Sequence, residues 1–138
     1  MTNNQFFQTV LGNTGLPVFR LGLSATYWPG KRAIYKAIDE GVNYFFGFGI
    51  DLQLIKVLRD AMKSNREKFI LATGAYNYII GHQNIRKTLE KRLRQFRTDY
   101  IDAFLFLGFT KKKHFPERAR EEMVRLREEG KVRTIGMS

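Results

Sequence analysis

The sequence contains no cysteine and only two histidines. Without thiols the chain has no disulfide bond, cysteine nucleophile or thiolate metal site, and two histidines are too few to suggest a metal cluster. The longest wholly apolar run, Ala103–Phe109, is far shorter than the roughly 20 residues that span a bilayer. The opening MTNNQFFQTV also lacks the basic and apolar regions of a signal peptide. We therefore expect a cytoplasmic protein that does not enter a membrane.

Acidic residues are scarce relative to basic ones. The chain has 24 Lys and Arg against 13 Asp and Glu, which gives a formal net charge of +11. Between residues 83 and 98, a group of cations surrounds the single acid Glu90: Arg86, Lys87, Lys91, Arg92, Arg94 and Arg97. Such a stripe is either a solvated helix face or an electrostatic footprint for nucleic acid. Because no zinc-finger, RNP or KH motif accompanies it, the solvated face is favoured, and any nucleic-acid binding is expected to be nonspecific.

Apolar runs rich in β-branched and aromatic residues alternate along the chain with segments of helical period. The predicted strands are Val18–Ala25, Val42–Phe46, Lys68–Thr73, Tyr100–Leu107 and Val132–Met137. A helix is predicted between each strand and the next, and the Asn-Thr-Gly turn within residues 12–15 indicates a hairpin ahead of them. This order predicts an α/β fold with a parallel sheet and right-handed crossovers, in a single domain over residues 1–138.

Several segments resemble the aldo-keto reductases: LGNTGLPVFRLGL, EGVNYF, FILAT, RTDYIDAFLF and EEGKVRTIGMS. Members of that family are (β/α)8 barrels that transfer hydride from NADPH to aldehydes and ketones. The resemblance runs from Leu11 to Ser138 and implies the first β/α steps of such a barrel. A complete barrel needs about 250 residues. We therefore expect a truncated, TIM-barrel-like half-barrel with a short N-terminal hairpin.

The resemblance also locates the positions of the family's catalytic groups. A tyrosine protonates the carbonyl oxygen, a lysine and an aspartate lower the pKa of that tyrosine from about 10, and a histidine orients the substrate. Here the aspartate position is Phe46, the tyrosine position Asp51, the lysine position Gly74 and the histidine position Leu107. No tyrosine occurs in residues 45–68 and no lysine in residues 69–86, so a shifted alignment does not restore the set.

Other polar residues near the predicted strand ends are candidates for a replacement site. Tyr76 and Tyr78 are conceivable acids with a new geometry, although a partly exposed aromatic loop is the favoured interpretation. His82 alone is more often a surface or helix-start residue than a ligand. Asp102 falls within a strand at a position where the family keeps an acid, so its predicted role is structural. Asp51 remains the other candidate acid.

The cofactor prediction follows from the same resemblance. In the family, loops of the second half-barrel hold most of the adenosine phosphate and pyrophosphate. Ser138 is the one residue here that matches a family nicotinamide contact. We therefore expect no cofactor for this chain alone, and NADPH only by family resemblance.

The expected function is that of a pseudoenzyme, a scaffold or interaction domain in which Phe46, Phe48 and Leu107 fill the space of the lost site. One alternative is an NADPH-dependent oxidoreductase for aldehydes or ketones, completed by a second chain or half. Another is a basic nucleic-acid-binding domain. Open strand edges near Gly22–Ala25 and Val132–Met137, beside apolar side chains, predict self-association or a partner that completes the barrel.

Overall fold

The computed structural model of the chain describes residues 4–78, 81–82, 84–108, 111 and 115–138; side chains at 4–5, 77–78 and 81–82 lie outside the description. The helices are α1 (Asn4–Phe7), α2 (Lys31–Asp39), α3 (Leu52–Met62), α4 (Ile85–Phe96) and α5 (Glu117–Glu128). The strands are β1 (Gln8–Val10), β2 (Pro17–Phe19), β3 (Leu23–Ser24), β4 (Tyr44–Phe46), β5 (Ile70–Tyr78), β6 (Gly81–His82), β7 (Ile101–Leu107) and β8 (Val132–Met137). Among the described residues, every helix is too short or too polar to cross a membrane.

Five strands run parallel in the order β3-β4-β5-β7-β8, which confirms the predicted α/β sheet. Strands β1 and β2 form a separate antiparallel hairpin, with Thr9 opposite Val18, which confirms the predicted N-terminal hairpin. The chain divides into two compact units, Met1–Leu71 and Ala72–Ser138, and strand β5 begins in the first and continues in the second. The prediction of a single domain stays a prediction.

Strand β4 begins at Tyr44 and not at Val42, and β7 begins at Ile101 and not at Tyr100; two further predicted strands differ more from the structure. The run Val18–Ala25 is not one strand, because Phe19 ends β2 in the hairpin and the sheet strand β3 begins only at Leu23. Asn43 holds the hairpin end of this run: its Oδ1 accepts from the Phe19 amide at 2.7 Å, and its Nδ2 donates to the Pro17 carbonyl at 3.0 Å. In the segment Lys68–Thr73 the strand begins later than predicted, because residues 66–68 form a 3-10 turn capped by Asn65. Strand β5 starts at Ile70 and runs on to Tyr78.

The core of the first unit lies beneath helix α3. Its buried residues repeat at helical spacing: Leu54, Ile55, Val57, Leu58 and Met62. Helix α2 adds Ile34, which has no exposed surface, and the rings of Phe45 and Phe69 lie 6.1 Å apart. Helices α2 and α3 pack against each other.

The second unit is built around β7. Six of its seven residues are buried, because helices cover a parallel sheet on its faces. Helices α4 and α5 are joined by Arg86, whose Nη1 and Nη2 donate to Glu129 at 2.8 and 2.7 Å and whose Nε donates to Glu122 at 2.5 Å. This guanidinium lowers the pKa of Glu129 to about 2. Helix α5 ends at Glu128 with Glu129 as its C-cap, and the following Gly130 has a positive φ of 75°, which suits glycine.

Two leucines on α3 test this core. Leu58 is fully buried and Leu52 is 73% exposed, so Leu58→Ala should lower the free energy of unfolding by about 2–5 kcal/mol. Leu52→Ala should change it by no more than about 0.5 kcal/mol. Urea denaturation followed by circular dichroism measures both. Equal midpoints for the two variants would contradict the assigned core face of α3.

Candidate functional site

In (β/α)8 barrels, the reactive groups lie at the carboxyl ends of the parallel strands. In the first unit this region is the segment from Phe46, which ends β4, to Asp51, which precedes α3. The rings of Phe46 and Phe48 pack edge to face with centroids 4.7 Å apart. Phe46 thus places an aromatic ring, not a carboxylate, at the strand end.

Asp51 has a structural task. Its Oδ1 accepts from the backbone amides of Gln53 at 3.0 Å and Leu54 at 3.1 Å, which caps the first turn of α3. The residue is 1% exposed, and no described residue donates to its Oδ2. An acid directly before an apolar helical repeat is the ordinary sequence signal for a cap, and it would have predicted this role.

In the second unit, Gly74 lies next to the side chain of Leu107. Gly74 on β5 lies in register with Leu105 on β7. A Cβ atom at position 74 would lie 2.4 Å from the Leu105 carbonyl oxygen and 2.8 Å from Leu107 Cδ1. Carbon atoms do not approach a backbone oxygen so closely, so a side chain at this position would require the backbone to shift. Leu107 itself is buried and covers this side of Gly74.

The alternative acids have unequal support. Tyr76 is half-buried and lies in register with Leu107 at the end of the β5–β7 pair. The backbones of Tyr78 and His82 belong to the β5–β6 hairpin, but their side chains lie outside the part of the chain that the structure describes. Tyr76 is therefore the one candidate of the three whose side-chain burial is known.

Asp102 and Ser138 are held by strand β8. Asp102 is fully buried; its Oδ1 accepts from Arg133 Nη1 at 3.1 Å, and its backbone carbonyl accepts from Thr134 Oγ1 at 2.7 Å. These bonds give Asp102 the structural role expected from the sequence. The amide of Ser138 donates to the Phe106 carbonyl at 2.9 Å, and Ser138 is exposed. Its contact with a nicotinamide stays a prediction.

The basic residues of α4 do not form one continuous surface. Arg86 is engaged by Glu122 and Glu129, and Glu90 Oε1 lies 3.6 Å from Lys131 Nζ. Lys87 and Lys91 are exposed on another part of the helix. Among the described residues, no group of acidic and histidine side chains is arranged to hold a metal ion.

With this geometry in place, comparison with known proteins gives a direct result. Residues 32–138 match the model of the aldo/keto reductase family. The chain belongs to this family. The resemblance inferred from its sequence motifs is thereby confirmed, whereas no curated protein sequence matches this aldo-keto reductase family member significantly.

Solved structures of aldo-keto reductases show the same fold. One is the holo form from Bacillus halodurans, 23% identical with a TM-score of 0.77, over 95% of this chain and 49% of that one. Another is a Klebsiella pneumoniae aldo-keto reductase in complex with NADPH, 23% identical with a TM-score of 0.70, over 89% and 46%. The glycerol dehydrogenase from Gluconobacter oxydans is 20% identical with a TM-score of 0.70, over 95% and 48%. The chain spans about half the length of these proteins.

Substitution of Gly74 tests how closely β5 and β7 pack at this residue, which we call the closed position. Gly74→Ala should destabilise the protein by about 1–3 kcal/mol, because the Leu105 carbonyl belongs to the backbone and cannot rotate away. Gly136→Ala is the matched control on β8: its added methyl would meet the side-chain atom Leu105 Cδ2 at 2.9 Å, which can rotate. Thermal and urea unfolding measure both variants. A Gly74→Ala protein as stable as Gly136→Ala would show that β5 and β7 are less closely packed.

Proposed function

We propose that this aldo-keto reductase family member is a scaffold or interaction domain that has lost carbonyl-reductase catalysis. The observation that carries the proposal is the closed position at Gly74, where the family's lysine is expected by resemblance. A neutral tyrosine with a pKa near 10 is a poor acid at pH 7 unless a cation stabilises its phenolate. The Leu105 carbonyl, 2.4 Å from a Cβ at position 74, leaves no room for that cation.

The other catalytic positions support the same proposal. Asp51 stands where the tyrosine is expected, and its Oδ1 already accepts two amide hydrogen bonds at the start of α3. Phe46 packs against Phe48 where the aspartate is expected, and Leu107 is buried where the histidine is expected. General acid catalysis needs a positioned proton donor. None of these side chains supplies one.

Two observations support the absence of a full nicotinamide site in this chain by itself. The buried Leu107 side chain occupies the space beside Gly74, and Ser138 is the single hydroxyl that the family resemblance assigns to the cofactor. NADPH is bound in the Klebsiella pneumoniae structure. For this chain by itself we propose no NADPH site of comparable affinity.

The second candidate function is NADPH-dependent reduction of aldehydes or ketones with the missing half supplied by another chain. Family membership and the place of Tyr76 at the end of the β5–β7 pair favour it. In that case Tyr76 would have to act as the acid without the neighbouring lysine.

A cofactor-oxidation assay separates these functions. The purified chain should oxidise no NADPH above background with a broad panel of aldehydes and ketones, since loss of general acid catalysis alone costs typically 10²–10⁴-fold. Leu107→His should not restore turnover, because catalytic groups that act as a unit are not recovered singly. An active aldo-keto reductase serves as the positive control. Turnover that disappears in Tyr76→Phe would overturn the proposal and favour the second candidate.

The proposed scaffold role requires a partner, and β8 is the surface we assign to it. Among the described strands, β8 pairs with β7 alone, so its other edge carries backbone groups without a strand partner. Met137 on this strand is 58% exposed. An open edge with apolar side chains favours pairing with another polypeptide. We propose that the partner is a second copy of the chain.

Sedimentation velocity tests this association. At micromolar concentration the chain should sediment as a dimer or larger species, and Met137→Lys should shift it towards the monomer by placing a charge at the edge. Val10→Lys introduces the same charge at a valine that is 52% exposed in the separate hairpin, and it should leave the assembly unchanged. A monomeric wild-type chain would refute self-association through β8.

A further inference from the structure

Helix α4 presents three distinct faces. Its core face carries Ile85, Leu89 and Phe96, which are all buried. A second face carries Arg86 and Glu90, which pair with Glu122, Glu129 and Lys131. The third face carries residues spaced three or four apart: Asn84, Lys87, Thr88, Lys91 and Arg92. Side chains at this spacing are neighbours on a helix surface, so the third face forms one continuous strip.

A shallow cavity lies along this third face. Its volume is about 230 Å³, and all five residues of the strip line it. Clefts that enclose a drug-sized ligand measure about 300–1,000 Å³. The cavity is therefore suited to one small group and not to a whole nucleotide.

The positive charges of this cavity have no acidic partner in the described part of the chain. Lys87 and Lys91 are exposed, and none of the residues that line the cavity is acidic. Glu90, the one acid on α4, is directed to Lys131. On the second face, by contrast, two carboxylates surround the single cation Arg86. The two polar faces of one helix thus have opposite charge balance.

Arg92 also lines this cavity. Its side chain is half-buried, and its Nη1 donates to Gln95 Oε1 at 2.8 Å. Burial lowers the pKa of the Arg92 guanidinium, which reports the unfavourable desolvation of its charge. A partly desolvated cation in a cavity that no acid lines is costly, and an anion in the cavity would offset that cost.

The chemistry of the strip specifies the anion. Arginine and lysine together bind phosphate through charge-assisted hydrogen bonds, and a threonine hydroxyl can donate another. We propose that the third face of α4 binds the phosphate group of a small phosphorylated molecule. Lys87 and Lys91 contribute charge at the mouth, Arg92 contributes its half-buried guanidinium, and Thr88 donates through its hydroxyl. Asn84 takes no part, because its Oδ1 accepts from the Lys87 amide as the helix cap.

A titration with inorganic phosphate tests the site directly. In ¹H–¹⁵N correlation spectra of the whole chain at low salt, phosphate should shift the amide signals of residues 87–92 saturably. Lys87→Gln/Lys91→Gln should weaken that binding at least tenfold. Arg32→Gln/Lys56→Gln removes the same charge from exposed positions on α2 and α3, and it should leave the binding unchanged. Absent saturation, or an equal loss in both double variants, would overturn the proposal.

Arg92→Met separates binding from folding. The substitution removes the half-buried guanidinium and keeps an apolar chain of similar length, so the melting temperature without phosphate should not fall. The rise in melting temperature that phosphate causes should be lost in this variant, because only the binding term changes. A full rise in Arg92→Met would exclude Arg92 from the site.

Titration with two further ligands identifies the source of the phosphate group. Phosphoserine, which carries a monoester, should bind at least as well as inorganic phosphate. A single-stranded oligonucleotide that binds at physiological salt, while phosphoserine does not bind at all, would contradict the small-molecule proposal. That result would favour recognition of a phosphodiester backbone instead, with its steep dependence on salt concentration.

Discussion

The close approach of β5 and β7 at Gly74 is the constraint on which most of the second unit depends. The two strands are in parallel register from Ala72 to Tyr76, and at the middle of this pairing only a hydrogen fits between Gly74 and the Leu105 carbonyl. The packing stabilises the sheet by burying β7 almost completely. It also removes the space in which a long cationic side chain would lie. The same close packing therefore stabilises the sheet and limits what position 74 can hold.

The cations of helix α4 fall into two groups that differ in whether acids lie next to them. Arg86 is neutralised by two acids and holds α4 against α5, so its charge serves the fold. Lys87, Lys91 and Arg92 lie on another face of the helix, and no acid lines the cavity along that face. Salt bridges at partly exposed positions contribute little stability, whereas unbalanced charge beside a cavity attracts an anion. The strong positive charge of the chain is thus of two kinds, one structural and one available for binding.

Much of the fold could be predicted from the sequence because hydrophobic period is a local property. The predicted order of strands, the parallel sheet and the N-terminal hairpin agree with the structure. The run Val18–Ala25 was misassigned because its division depends on Asn43, which is distant in sequence and binds Phe19 and Pro17. The family was found through its sequence motifs and is confirmed, whereas the assignment of its catalytic positions to Phe46, Asp51, Gly74 and Leu107 stays a prediction.

The sequence by itself determined the α/β order, the family and the excess of positive charge. Only the tertiary structure decided what individual side chains contact. That a Cβ atom at position 74 would meet the Leu105 carbonyl follows from the spacing of two strands. Which cations of α4 are neutralised depends on the side of the helix that α5 covers. Distances between segments remote in sequence are set by packing, and no local pattern of residues encodes them.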